Sequence, residues 1–579
     1  MLSRLSGRLA RRAILALCLL TLACGNAPGG APPTPVAGVN ALPIASPTPR
    51  PLNAFQKILA AEKAGLIAHA DSLVYRLYAA YDPASLPSQF RTAVAGKLSA
   101  SLARLRAGTA VLADLRRHWA VLPAAVKARL QAYRQRPTNP DSFWAPVDIT
   151  PQSVRLPGLA APAKGRATFA YTDVPHTPVR VGYVKEHDGA QALARRLAAE
   201  IDASGMWAKE QQVLLGHTPC SDAGLADNGG SGHLDLYLVR PGKTVPRKDS
   251  EDEKGALPGA GEDYETYGLT IPQDFSGDCP STDFLLLNEN LGWDDLRTTT
   301  AHEMFHAFQD SFAQGDDGVD WWAEATATWT EDYIYPTLNS EQAQLEAGGW
   351  AKNSDALGPL DDFQDDGLTQ YGAYIWPYYL THRPGGDPGV IGKVYQSIAD
   401  KRPIDVMHAW PDWEARFKEF ALWNWNQDPV DVYRDGGAHI DPLAQSTHYL
   451  ATGGVLALAD GAYDAAVSLR EASITYYTLR RIDDGSDAGD VIHQLRIGMS
   501  ELAHQGGAGV QAIITIEAAG QPARRYTEDW SGLTSKTFCR DQAAEHITSL
   551  VLVVTNSNVT TQDKLNGTIS VVAQSELCN

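Results

Sequence analysis

The sequence predicts an α+β protein in three parts: a helical region, a mixed region of short strands and paired helices, and a terminal β-sandwich. Three observations support this. From Asn53 to about Arg136 apolar residues recur every three or four positions, as in Leu73, Leu77 and Tyr78, which is the helical period. From about Phe143 short β-prone runs take over, and a long helical pattern then extends from about Asp294 to Leu380. After about Pro442 strand patterns return, separated by turn signals at Asp484-Gly485 and Gly506-Gly507. The chain of 579 residues is long enough for three or four units at roughly 100–200 residues each.

The helical region, expected over 53–140, breaks near Pro83 and Pro87 and reads as a brace or an autoinhibitory segment. In the mixed region, 141–440, the strand candidates are Ala167–Tyr171, Val179–Val184, Leu234–Val239, Tyr267–Ile271 and Phe284–Asn288, with one helix over Ala190–Ile201 among them. The charge run from Lys248 to Lys254 reads as a solvated loop. The sandwich, 441–579, draws on Ala465–Leu469, Ile474–Leu479, Val510–Glu517, Thr548–Thr555 and Gly567–Val572.

Residues 1–23 read as an export signal: Arg4, Arg8, Arg11 and Arg12 precede an apolar run from Ala13 to Leu22, too short to span a bilayer. Ala23-Cys24 resembles the lipobox of bacterial lipoproteins, which implies a lipid on Cys24, although Thr21 stands where a leucine is usual. Plain secretion is the competing reading. Residues 25–52 hold eight prolines and almost no charge, the composition of an extended tether. The expected location is the bacterial cell envelope, outside the cytoplasm. Cys220, Cys279, Cys539 and Cys578 suit disulfides there, with nearness in sequence favouring Cys220 with Cys279 and Cys539 with Cys578. A net charge of −19 repels phosphate backbones and argues against a nucleic-acid partner.

The segment that carries chemistry is His302-Glu303-Met304-Phe305-His306. On a helix, with Asp294 or Asp295 as its expected N-cap, the two histidines lie one turn apart on one face, so both imidazoles reach a single ion. Glu303 is offset from them, placed to hydrogen-bond a water rather than to bind metal. A hydrolytic zinc takes three protein ligands and keeps a fourth position for water. Glu324, in Asp320-Trp321-Trp322-Ala323-Glu324-Ala325, opens the polar face of a second helix and is the candidate third ligand, with Glu331 as its rival.

This HExxH motif with a glutamate following at that range resembles the gluzincin metallopeptidases. More closely it is similar to secreted metalloproteases of myxobacteria and related bacteria, a likeness that extends to Asp82-Pro83, Leu86-Pro87 and Asp529-Trp530-Ser531-Gly532. The resemblance implies a zincin-like catalytic domain, zinc on His302, His306 and Glu324, Glu303 as catalytic base, and a protein or peptide substrate lying along an edge strand, Phe284–Asn288 or Tyr267–Ile271. It also implies an oxyanion donor from a later helix, Tyr371 or Tyr374, of which Tyr371 is favoured. One departure is Thr328, where the thermolysin branch carries an aspartate orienting a zinc-bound histidine. Glu331 or Asp310 is then expected behind the ligands.

Asp316, Asp317 and Asp320, and Asp361, Asp362, Asp365 and Asp366, offer oxygen ligands for Ca2+, with solvated loops as the competing reading. His382, His439, His448, His504 and His546 have no partner at ligand spacing. Two other functions stay open: a non-catalytic surface lipoprotein with a structural metal and a binding sandwich, and zinc-dependent hydrolysis of a non-peptide amide.

Overall fold

The computed structural model describes residues 52–91, 111–146, 167–240, 267–275, 279–314, 318–346, 357–363, 369–426, 430, 432–435, 438–439, 455–457, 461–480, 491–540, 545–560 and 564–578. The export signal, the tether, Cys24, the 248–254 run, Asp316, Asp317, Asp365, Asp366, His448 and the Asp484-Gly485 turn lie outside these. The fold is mixed α+β.

Its middle is a five-stranded sheet of β1 (Phe169–Asp173), β2 (Val179–Val184), β3 (Leu234–Val239), β4 (Gly268–Asp274) and β5 (Thr282–Asn288), ordered β1-β2-β3-β5-β4. β2, β3 and β5 run parallel, while β1 and β4 lie antiparallel at the two edges. Every residue of β2 and β5 is buried, as expected of strands covered on both faces. Phe284–Asn288 is therefore interior, and of the two segments expected to offer an edge only the one beginning at Tyr267 does so. The connection from β2 to β3 runs through a helix, Ala190–Ser204, closed by Gly205 at φ 66°, the left-handed cap a residue without Cβ adopts at no steric cost.

Side-chain alternation sends the strands to two cores. Val181, Leu236, Leu238, Leu285 and Leu287 face the helices that follow. Tyr237, Leu269, Ile271, Phe284 and Leu286 face the N-terminal helices Ala54–Lys63, His69–Tyr81, 111–118 and Ala124–Arg134. The first of these helices starts with a reciprocal cap, in which the Asn53 side chain accepts from the Gln56 amide at 2.9 Å and the Gln56 side chain accepts from the Asn53 amide at 3.2 Å. The pattern expected as one long helical stretch from Asp294 to Leu380 is several helices: Trp293–Gln309, Asp320–Ile334, Gln342–Glu346, Thr369–Gly372 and Ile375–His382. Gly318, at φ 65°, lies in the turn before the second of them.

The C-terminal strands form two antiparallel-rich sheets, one containing Ala508–Ala518 and Glu545–Asn556, the other Gly461–Leu469 and Leu565–Gln574. Gln494–Gly498, Arg524–Asp529 and Ser535–Cys539 are strands that the sequence pattern did not single out. Between the sheets lies a core that includes Leu495, Ile514, Leu552 and Ile569, while Ile474, Tyr476, Ile513 and Val551 join the core of the preceding helices. Trp413 Nε1 donates to the Ser557 carbonyl at 2.7 Å across that junction. Residues 52–579 form one compact unit, and shared cores cross both expected boundaries. The pairs Cys220–Cys279 and Cys539–Cys578 stand at Cα separations of 5.9 and 6.1 Å, within disulfide range. Among the described residues no helix is long and apolar enough to cross a membrane.

The N-terminal helices are tied to the sheet by a buried ionic group. Arg136, fully buried, pairs with Asp222 and with Asp235 of β3, and Arg180 of β2 pairs with the same Asp235. Arg136 Nε also donates to the Asp227 carbonyl at 2.8 Å and to Gln273 Oε1 at 3.0 Å. Removing one partner leaves buried charge without compensation, so Arg136→Met is expected to destabilise the fold by about 3–5 kcal/mol, read from urea unfolding.

Candidate metal centre

The helix carrying the histidines, Trp293–Gln309, packs on β4 and β5, and the helix carrying Glu324, Asp320–Ile334, lies alongside it. The first is capped at Gly292 rather than at an aspartate; Asp294 and Asp295 sit two and three positions further in, where negative charge still favours the helix start. The apolar side of the histidine helix is buried through Ala301, Met304, Phe305 and Phe308, which turns His302 and His306 toward the second helix.

Three donor atoms meet there. His302 Nε2 is 3.2 Å from His306 Nε2 and 3.3 Å from Glu324 Oε2, and His306 Nε2 is 3.5 Å from the same oxygen. With zinc bonds of about 2.1 Å, two ligands of a tetrahedral ion stand about 3.4 Å apart. All three spacings fit that figure.

Each histidine is also held from behind. His302 Nδ1 faces Glu331 Oε1 at 3.0 Å, and Glu331 Oε2 accepts from Ser340 Oγ at 2.7 Å. Glu331 is thus on the far side of the His302 ring from the three donors. It lies outside the group of three donors. His306 Nδ1 lies 2.8 Å from Gln309 Oε1. Because Gln309 Nε2 donates to the Ala323 carbonyl and to Thr326 Oγ1, both at 3.0 Å, its oxygen is the atom left to accept from Nδ1–H. That fixes the His306 tautomer with the Nε2 lone pair toward the donors. Asp310, weighed for this role, pairs instead with Arg116 at 3.0 Å. Thr328 is buried and holds neither histidine's ring nitrogen, as the sequence departure implied.

Glu303 is held at the sheet edge. Thr270 Oγ1 of β4 lies 2.8 Å from Glu303 Oε2 and 2.7 Å from the Glu303 carbonyl. At Gly268 an added Cβ would come within 2.6 Å of Glu303 Cγ and 2.7 Å of Thr299 Cγ2, so the strand approaches this carboxylate as closely as backbone allows. Tyr371 stacks on His302 with ring centroids 6.1 Å apart and an interplanar angle of 23°, while Tyr374 lies in the large apolar core. A phenol from the N-terminal helices also reaches this neighbourhood: the buried Tyr81 hydroxyl has no hydrogen-bond partner among the described residues, and burial together with the Glu303 and Glu324 carboxylates pushes its pKa well up. Gln309, three places after His306, was not singled out by the sequence pattern; Thr270, Gly268 and Tyr81 are brought in by tertiary packing alone.

The electrostatics are those of anions and imidazoles sharing a dry site. Burial disfavours the charged form of His302, but Glu324 and Glu331 outweigh it and raise its pKa to about 10. Burial likewise opposes charging of His306, and Glu324 overturns it in the same direction. Burial would raise Glu324, yet the two imidazoles hold it far below the usual carboxylate range. Glu303 is raised by burial, partly countered by the histidines. In the cluster without metal, protons do the work an ion would do.

Among the described residues the aspartates considered for calcium gather in no such group: Asp320 is paired with Arg117 and Asp361 with Arg402. His382 stacks on Tyr378. No family model and no curated protein matches the chain. The geometry therefore carries the functional reading.

Two outcomes are expected here. Gln309→Leu frees the His306 ring and should weaken zinc binding by about 10–100-fold, measured by competition with a chromophoric chelator. In chelator-treated protein, His302, with a pKa raised from 6.5 to about 10, contributes stability that is full below pH 6.5 and lost as pH rises through about 10. Glu324, lowered from 4.5, contributes stability present above pH 4.5 and lost in acid. The denaturation midpoint of that form should fall on both sides, and added zinc should flatten the alkaline limb.

Proposed function

We propose that the chain is a zinc-dependent peptidase of the gluzincin type, with a zincin-like arrangement of edge strand, HExxH helix and glutamate helix. The observation that carries the reading is the triangle of 3.2, 3.3 and 3.5 Å between His302 Nε2, His306 Nε2 and Glu324 Oε2, beside a carboxylate that belongs to none of its corners. Zinc bound by those three residues supplies Lewis acidity, polarising a carbonyl and making water acidic.

The chain's own residues do the remainder. Glu303, held by Thr270, takes a proton from the attacking water and passes it to the leaving nitrogen; its raised pKa suits a group that must both accept and give. Gln309 and Glu331 keep the two imidazoles aimed. Tyr371, against His302, is the residue we assign to the oxyanion that forms at the attacked carbonyl. An extended peptide adds to β4, the antiparallel edge strand that carries Thr270, by main-chain pairing. In this reading the sandwich positions substrate, and the mature chain stands at the bacterial cell envelope on a lipid at Cys24.

Glu303→Gln should leave zinc content intact and lower casein hydrolysis by at least about 10²–10⁴-fold. Gly268→Ala, which drives a methyl group against Glu303, should lower kcat more than it raises KM, with zinc retained. The burial of His306, Glu303 and Glu324 favours one alternative, a metal that only cross-links two helices of a surface lipoprotein. Unchanged activity of the Glu303→Gln chain in every assay would select it.

A further inference from the structure

A second group of metal-type donors lies in the N-terminal helices, away from the HExxH residues. His69 opens the helix His69–Tyr81, and Asp114 and His118 lie one turn apart on 111–118. One donor atom from each falls within 4.8 Å of the others, and among the described residues only this group and His302, His306 and Glu324 do so. The likeness between the two groups goes further. The His69 and His118 rings have centroids 4.3 Å apart at 61°, against 4.9 Å at 79° for His302 and His306. Glu62 Oε1 stands 2.7 Å behind His69 Nδ1, as Glu331 stands behind His302.

That carboxylate takes the Nδ1–H of His69 and leaves Nε2 as an acceptor. His69 Nε2 is shut off from solvent and has no hydrogen-bond partner among the described residues. A buried acceptor left unpaired is costly, and a bound cation would satisfy it. Asp114 has one oxygen engaged by Arg76, while the other, Oδ1, lies 2.8 Å from His118 Nδ1. Arg117, 3.7 Å from that oxygen, adds a second positive charge that weakens any cation here relative to the HExxH group.

We propose that His69, Asp114 and His118 bind a second zinc ion with a structural role. Imidazole and carboxylate donors suit this ion, and solvent completes its shell. The ion would fasten the start of one helix to 111–118. That segment in turn grips both ends of the loop between the two ligand-bearing helices: Arg116 Nη1 is 3.0 Å from Asp310 Oδ1, and Arg117 holds Asp320 at 2.6 and 2.9 Å. The second ion thus braces the frame of the first.

The test is the zinc content of the full mature chain, purified with zinc, desalted and measured by plasma mass spectrometry. Two ions per chain are expected in the wild type. One should remain in the His302→Gln/His306→Gln chain, and none once His69→Gln and His118→Gln are added. A His302→Gln/His306→Gln chain that holds no zinc overturns the proposal, as does a His69→Gln/His118→Gln chain that holds as much as the wild type. A wild type with one ion that disappears in the His69→Gln/His118→Gln chain sustains this site and removes the peptidase instead. Titration of the wild type with a chromophoric chelator reads the same count without any variant, so a misfolded variant does not decide the matter. Two steps are expected, the weaker one missing from the His69→Gln/His118→Gln chain, and a single step overturns the proposal.

Discussion

Two imidazoles and two carboxylates cannot sit in an apolar interior unless each is restrained, and that constraint organises the middle of this molecule. His302 is backed by Glu331, His306 by Gln309 and Glu303 by Thr270, and each of these partners is anchored again, by Ser340, by Ala323 and Thr326, and by the edge strand. The two helices that hold the 3.2 to 3.5 Å triangle are tied by Gln309, which donates to the Ala323 carbonyl and to Thr326, while Trp321, Trp322 and Trp329 of the second helix build the surrounding core. Packing density here serves chemistry: a looser pair of helices would leave the donors free to turn away from one another.

The N-terminal helices belong to this framework. They cover the face of the sheet opposite the histidine helix, send Arg136 into a buried group with Asp222 and Asp235, and reach the ligand helices through Arg116 and Arg117. Tyr81 adds a phenol whose surroundings are set by the same carboxylates that the reaction would use.

The local code was readable where period and composition agree. Val179–Val184 and Leu234–Val239 stand out as apolar runs and are strands with those same bounds, and the His302 to His306 spacing places both rings on one helix face. Glu324 was legible because it begins the polar face of a helix at a reachable distance. What the one-dimensional pattern lacks is pairing between distant segments. Nothing near Thr270 marks it as the partner of Glu303, thirty-three positions away, and the strands at Gln494 and Ser535, five residues each, are too short to separate from loops. Nor does the run Phe284–Asn288 reveal that it is interior, since edge and centre are properties of the finished sheet. Asp310, expected behind the ligands, is likewise taken by a neighbour, Arg116, from almost two hundred positions upstream, and Gln309 stands behind His306.

The buried arginine that joins β2, β3 and the early helices has a consequence for how such a chain can change over generations. Because Arg136 is neutralised by Asp222 and Asp235, and Asp235 also serves Arg180, no member can be exchanged singly without stranding another. Gene fusion or shuffling that moved the stretch after residue 140 into a new host would carry aspartates with no cation to meet them. The segment that carries the histidines and its helical forerunner are therefore bound to be inherited together, and drift in one must be answered in the other.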